Sequence, residues 1–185
     1  MPGSSFGGPL PPPGPEVLEV ESMLKETLEV LASPKGERSL RDMPTLRRCE
    51  AYITDIFQRS GYSVSVQEYR VDGELVRNLE VEIPGSTSAG EIIVIGAHYD
   101  SAHGPAANDN ASGTAGVLSL AEWASKRSFA KTLRFVAFVN EEPPYFQVPG
   151  EMGSEVYARR CRERQENIVA MLSLETIGYY SDKKG

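Results

Sequence analysis

Two cysteines, two histidines and one tryptophan are all that these 185 residues contain of those types, and no apolar run approaches the ~18 residues needed to span a bilayer. Cys49 and Cys161 show neither the paired spacing of a structural zinc site nor a disulfide framework. Both fall at apolar positions of helical patterns, as buried free thiols do. Basic residues number 19 against 26 acidic ones, a net charge of -7. No Lys/Arg stripe stands out, which excludes a nucleic-acid partner, since phosphate binding needs one. The opening "MPGSSFGGPLPPPGP" lacks the charged and apolar segments of a secretory signal, which points to the cytoplasm. Its proline and glycine content excludes regular structure, so residues 1–15 are expected to be a disordered tail. With 40% hydrophobic residues, the remainder, 16–185, can bury a core as one soluble domain.

Val17, Val20, Leu24, Leu28 and Leu31 recur at helical spacing and predict an amphipathic helix over 16–32. "SPKGERSLRDMP" is read as the loop after it. A second helix over about 44–60 carries Leu46, Cys49, Ile53, Ile56 and Phe57 on one face and stops at Gly61. "YSVSVQEYR" and "LVRNLEVEI", separated by Asp72-Gly73, predict a hairpin at a sheet edge. Three later runs, "EIIVIGA" (91–97), "TLRFVAFV" (132–139) and "NIVAMLSL" (167–174), are almost continuously apolar, as expected of strands covered on both faces. Helices over about 112–127 and 153–165 separate them. The sum is an α/β chain, a three-layer α/β/α sandwich.

The polar residues gather where those runs end. His98 and Asp100 follow the first, Asn140-Glu141-Glu142 the second and Glu175 the third, with Asp109 in the loop after the first. In open α/β sheets ligands bind at this carboxyl edge. Each feature alone is ordinary: a histidine after a strand, acids before prolines, an Asx turn at "DNASG". Several independent loops delivering them to one edge is not. One imidazole among carboxylates is a donor set suited to zinc, and less well to cobalt or manganese.

"GAHYDS" (96–101), "AANDNASG" (106–113), "VNEE" (139–142), "GS" (153–154) and "LETIGYY" (174–180) together resemble the zinc-dependent aminopeptidases related to bacterial leucyl aminopeptidase, glutamate carboxypeptidase and the transferrin-receptor ectodomain. The longer "NEEPPYF" is similar to a bacterial and archaeal subgroup. The resemblance implies a mixed, mostly parallel sheet of about five strands in the order 1-2-4-3-5. It also implies hydrolysis of the peptide bond after an N-terminal residue by a zinc-activated water. His98, Asp109 and Glu175 would hold one zinc, with Asp109 bridging to a second held by Glu142. Asp100 would fix the His98 tautomer, and Glu141 would be the general base. Glutaminyl cyclases share the scaffold, but "DNASG" and the paired glutamates look like the peptidase form.

Family members also carry, beyond the stretch resembled here, a second metal-binding histidine, an oxyanion-holding tyrosine and further strands. His103 lies at no position the family uses for a ligand and is expected to be a solvated loop residue. The expectation is therefore a fragment with one complete metal site and a half-built second one, weakly active, whose strand at 168–175 forms an open edge prone to self-association. The alternative is a non-catalytic interaction domain on the same scaffold.

Overall fold

The structure is a computed structural model describing residues 8–9, 11–32 and 36–179. Most of the tail expected at 1–15 lies outside the described residues. Helix α1 spans Pro15–Ala32 and α2 Met43–Arg59, with a short 3-10 turn at Leu40–Asp42 between them. Strands β1 (Ser65–Val71), β2 (Glu74–Ile83) and β3 (Ser88–His98) follow, then α3 (Gly113–Ser125), β4 (Lys131–Phe138), α4 (Gly153–Glu163) and β5 (Ile168–Ser173). No helix among the described residues is long and apolar enough to cross a membrane.

Local signals explain the boundaries. Asp42 caps α2 by accepting from the Thr45 backbone N–H at 3.2 Å, and Pro44 sits in the first turn, where a missing N–H costs nothing. The helix stops at Arg59, with Ser60 as its cap, and the chain turns away at Gly61, whose φ of +92° suits glycine. Asp72 and Gly73 both take positive φ, 52° and 84°, the backbone of the tight turn that matches strand twist.

The sheet has five strands in the order β1-β2-β4-β3-β5. β1, β2 and β4 pair antiparallel in succession, while β3 runs parallel to both β4 and β5. Side chains alternate between two cores. Ala97, Tyr99, Phe135, Ala137 and Val139 face α2 and α3, with Leu46, Ile53, Phe57 and Leu118. Val94, Val136 and Phe138 face α4, with Tyr157 and Cys161. This period-2 division produces the three layers. Both cysteines are free and buried.

Two expectations shift. The stripe of α1 is not buried along its length: Val17 is 57% exposed, Val20, Met23 and Leu24 are half-buried, and only Thr27 and Leu31 are buried. The hairpin lies at the edge only through β1; β2 is interior, flanked by β1 and β4. At the opposite edge, β5 leaves Val169, Met171 and Leu172 more than two-fifths exposed.

Asn78 fixes the end of β4 that leads into the glutamate pair. Fully buried, its side chain accepts from the Val139 N–H at 3.1 Å and donates to the Gly153 carbonyl at 2.8 Å and to Gln67 Oε1 at 3.0 Å. Replacing it strands the buried Val139 N–H. Asn78→Ala is expected to cost about 2–4 kcal/mol, seen in urea unfolding as a lower midpoint at unchanged slope.

Candidate metal centre

His98 is the last residue of β3, and its side chain is 3% exposed. Neither Nδ1 nor Nε2 has a hydrogen-bond partner, although both are buried. An unpartnered buried imidazole costs free energy unless something else satisfies it. Its backbone is held by Thr114, whose hydroxyl donates to the His98 carbonyl at 2.8 Å.

Nε2 faces three carboxylates: Asp109 Oδ1 at 3.2 Å, Glu175 Oε2 at 3.4 Å and Glu141 Oε2 at 3.7 Å. One ligand atom each from His98, Asp109 and Glu175 falls within a 4.8 Å cluster, the one such group among the described residues. Zinc bonds of about 2.0–2.2 Å at tetrahedral angles place two donors roughly 3.3–3.6 Å apart. The observed separations fit that spacing. The carboxylates of Asp109 and Glu175 are half exposed, so the imidazole forms a buried floor and the acids an open rim.

The turn that carries Asp109 departs from helical backbone at Asp109 (φ -112°, ψ 95°) and Asn110 (φ -132°, ψ 44°). The asparagines on either side of Asp109 tie this turn to the end of β5. Asn110 donates to the Leu174 carbonyl at 2.8 Å and to Glu175 Oε2 at 3.0 Å, and accepts from the Gly113 and Thr176 N–H groups. Asn108 accepts from the Gly178 N–H at 3.0 Å. Gly113 is required by this contact, since a Cβ there would stand 2.2 Å from the Leu174 carbonyl oxygen.

Asp100 lies on the other side of the ring, its Oδ1 3.4 Å from Nδ1, longer than a good N–H···O bond. Its stronger contacts are with backbone: Oδ1 accepts from the Glu141 N–H at 3.1 Å and Oδ2 from the Glu142 N–H at 3.0 Å. One buried carboxylate thus aligns the imidazole loosely and the glutamate pair tightly. Sequence reasoning foresaw only the first contact. Asn140 turns the chain there with φ of 59°, a conformation asparagine tolerates better than most residues. Glu142 is not drawn into the His98 cluster. His103 is exposed in its loop.

Burial disfavours a charged His98, but Asp100 and then Glu141 and Glu175 outweigh it, pushing the imidazole up to about 9. Burial raises Glu141, Glu142 and Glu175 above the usual carboxylate range, with neighbouring acids adding to the effect. A crowd of like charges around one buried ring is a site that a divalent cation would relieve. The residues present therefore fit a zinc ion.

Residues 78–184 match the sequence profile of Peptidase family M28. The uncharacterized protein YfbL of Escherichia coli K12 is 34% identical over 171 residues, covering 88% of this chain and 51% of that protein. A probable zinc metalloprotease of Pyricularia oryzae is 29% identical over 119 residues, 60% of this chain and 22% of its own length. The chain thus spans about half the length of the first relative and less of the second. Among solved structures, an Acidobacteriales bacterium glutaminyl cyclase matches with a TM-score of 0.68 at 19% identity, over 95% of this chain and 64% of that one. A leucine aminopeptidase precursor from Bacteroides thetaiotaomicron matches with a TM-score of 0.65 at 18% identity, over 86% and 61%. At such identities these structures establish a common fold. The profile takes in more than half of the chain, including every residue that converges at the His98 centre, and on that ground the chain belongs to peptidase family M28.

Proposed function

We propose that this chain carries the metal centre of an exopeptidase of aminopeptidase type, acting on the bond after an N-terminal residue. The observation that supports it most is the buried, unpartnered imidazole of His98 at zinc-ligand distances from two carboxylates. His98, Asp109 and Glu175 would hold one zinc, and Asp109 with Glu142 would offer oxygen donors to a second. Zinc at this place supplies Lewis acidity toward water and toward a carbonyl oxygen. Glu141 hangs over the rim 3.7 Å from Nε2. Its raised pKa, caused first by burial, brings it closer to neutrality, where a general base works best. Asp100 holds the glutamate backbone, so that the base stays at the centre when it accepts a proton.

The second site has no imidazole among the described residues, since the other histidine, His103, is outside the cluster. Turnover by this chain is therefore expected to be marginal. Glu141→Gln should lower hydrolysis of an aminoacyl anilide by ~10²-fold or to background while leaving zinc content unchanged; Glu175→Gln should lose zinc. Equal metal loss in both would show the roles to be wrongly divided. A zinc-loaded chain without any turnover that Glu141 controls would favour a non-catalytic interaction domain.

The raised pKa of His98 has a definite sign. In the folded, metal-free chain the ring keeps a proton up to about 9, whereas unfolded it loses it near 6.5. The stability contributed by that charge is complete below about 6.5 and falls as pH rises toward about 9, by up to ~1.4 kcal/mol per pH unit. Zinc must displace the same proton. Its affinity should rise by up to ~10-fold per pH unit across this window, with about one proton released per zinc, measurable by titration calorimetry in buffers of different ionisation enthalpy. A flat profile would contradict the buried, protonated ring.

The exposed β5 edge supports one further reading, self-association of the chain through residues 168–175, because strand groups that have no partner among the described residues, beside exposed Val169, Met171 and Leu172, template pairing. Light scattering should show a mass that grows with concentration, and Leu172→Lys should suppress it. A monodisperse monomer at all concentrations would contradict this.

A further inference from the structure

Arg38 is the largest fully buried side chain described, 1% exposed, and among the described residues it has no carboxylate partner. All of its side-chain hydrogen bonds go to backbone carbonyls. Nε donates to Tyr99 O at 2.7 Å, one terminal nitrogen to Leu31 O at 3.0 Å and to Pro105 O, and the other to Ala106 O at 3.3 Å. A buried charge without an opposite charge in contact is costly. Only the planar five-donor fork of arginine can bond so many divergent acceptors at once.

The acceptors identify what is held. Tyr99 and Pro105-Ala106 are the two arms of the loop that runs from His98 to Asp109, and Leu31 is in the last turn of α1, where carbonyls lack helical partners. The backbone beside Arg38 adds to the grip. Arg38 N donates to Ser101 Oγ at 2.9 Å, Ser101 N donates to Arg38 O at 3.0 Å, and Ser101 Oγ donates to Gly104 O at 2.9 Å. Glu37 accepts from the His103 N–H at 3.1 Å. Ala106, with φ of 40°, is in a conformation that costs a non-glycine residue, and its carbonyl is one of those the guanidinium binds. Burial lowers the pKa of Arg38, while Cys49, Asp100, Glu142 and Asp109 favour its charged form. It is a buried cation behind the acidic rim.

We infer that Arg38 is a positioning residue for the metal centre: its guanidinium clamps both arms of the His98–Asp109 loop, setting Asp109 at ligand distance from His98 before any metal arrives. The inference rests on the reading of that centre as a metal site. It predicts that charge alone does not suffice, because a lysine ammonium cannot reach the same set of carbonyls.

Arg38→Lys and Arg38→Met are to be compared with the unaltered chain by cobalt(II) titration, followed in the visible spectrum, and by amide hydrogen exchange. Both variants are expected to bind cobalt ~10–100-fold more weakly, the usual consequence of losing an outer partner of a ligand. Exchange should quicken at residues 101–107 and stay unchanged in β3 and β4. A merely structural arginine would instead quicken exchange throughout and leave the affinity of the folded fraction intact. Should either variant fail to fold, Ser101→Ala, which removes one stitch of the same clamp, should show the same local quickening with a several-fold loss of affinity. Unaltered affinity and unaltered loop exchange in folded Arg38→Lys, or in Ser101→Ala, would overturn the inference. If the unaltered chain takes up no cobalt, the metal reading fails by itself, and the exchange data still decide whether Arg38 holds the loop.

Discussion

The structure turns on one imidazole that is buried at the end of β3 without a hydrogen-bond partner of its own. Everything around it either pays for that burial or exploits it. The carboxylates of Asp109 and Glu175 approach it from the open side, and Asp100 lies behind. Asp100 and Asp109 come from the loop after β3, the glutamate pair follows β4 and Glu175 follows β5. They meet because β3, β4 and β5 run parallel and their carboxyl ends lie side by side. Parallel topology therefore converts residues far apart in sequence into one small volume, as the crevice at such a sheet edge generally does.

Holding like charges together requires support that is itself neutral or positive. Here it comes mostly from amides: Asn110 and Asn108 fasten the Asp109 turn to the Glu175 segment, and Asn78 fastens the end of β4. Backbone N–H groups of the glutamate pair hold Asp100 in turn. Arg38, a buried cation behind the rim, spends most of its donors on loop carbonyls. The carboxylates of Asp100 and Glu175 are thus aimed by partners that a metal would not displace.

Much of this was legible in the residues. Continuous apolar runs mark the central strands, and the residues just after each run mark the edge, so His98, Asp109, Glu141 and Glu175 stand out in the sequence itself. Other features left no such mark. The partners of Arg38 are carbonyl oxygens, which every residue has, so an arginine in "KGERSLRD" reads as solvated. Asn78 lies in an alternating strand whose pattern gives no hint that its amide reaches Val139 and Gly153. The periodicity of α1 gave the helix correctly but not the extent of its burial, because periodicity reports which face is apolar and not how far the neighbouring elements extend beneath it. The amides flanking Asp109 were visible as residues, yet what they bond depends on how close β5 passes.

The proposed metal centre is built on a single histidine with oxygen ligands. X-ray absorption of the zinc-loaded chain at the zinc edge tests it most directly. One imidazole with the remaining ligands oxygen, at about 2.0–2.2 Å, is expected, with loss of that signature in His98→Ala. Two imidazoles, which would bring His103 into the centre, or sulfur from Cys49 or Cys161, would contradict it.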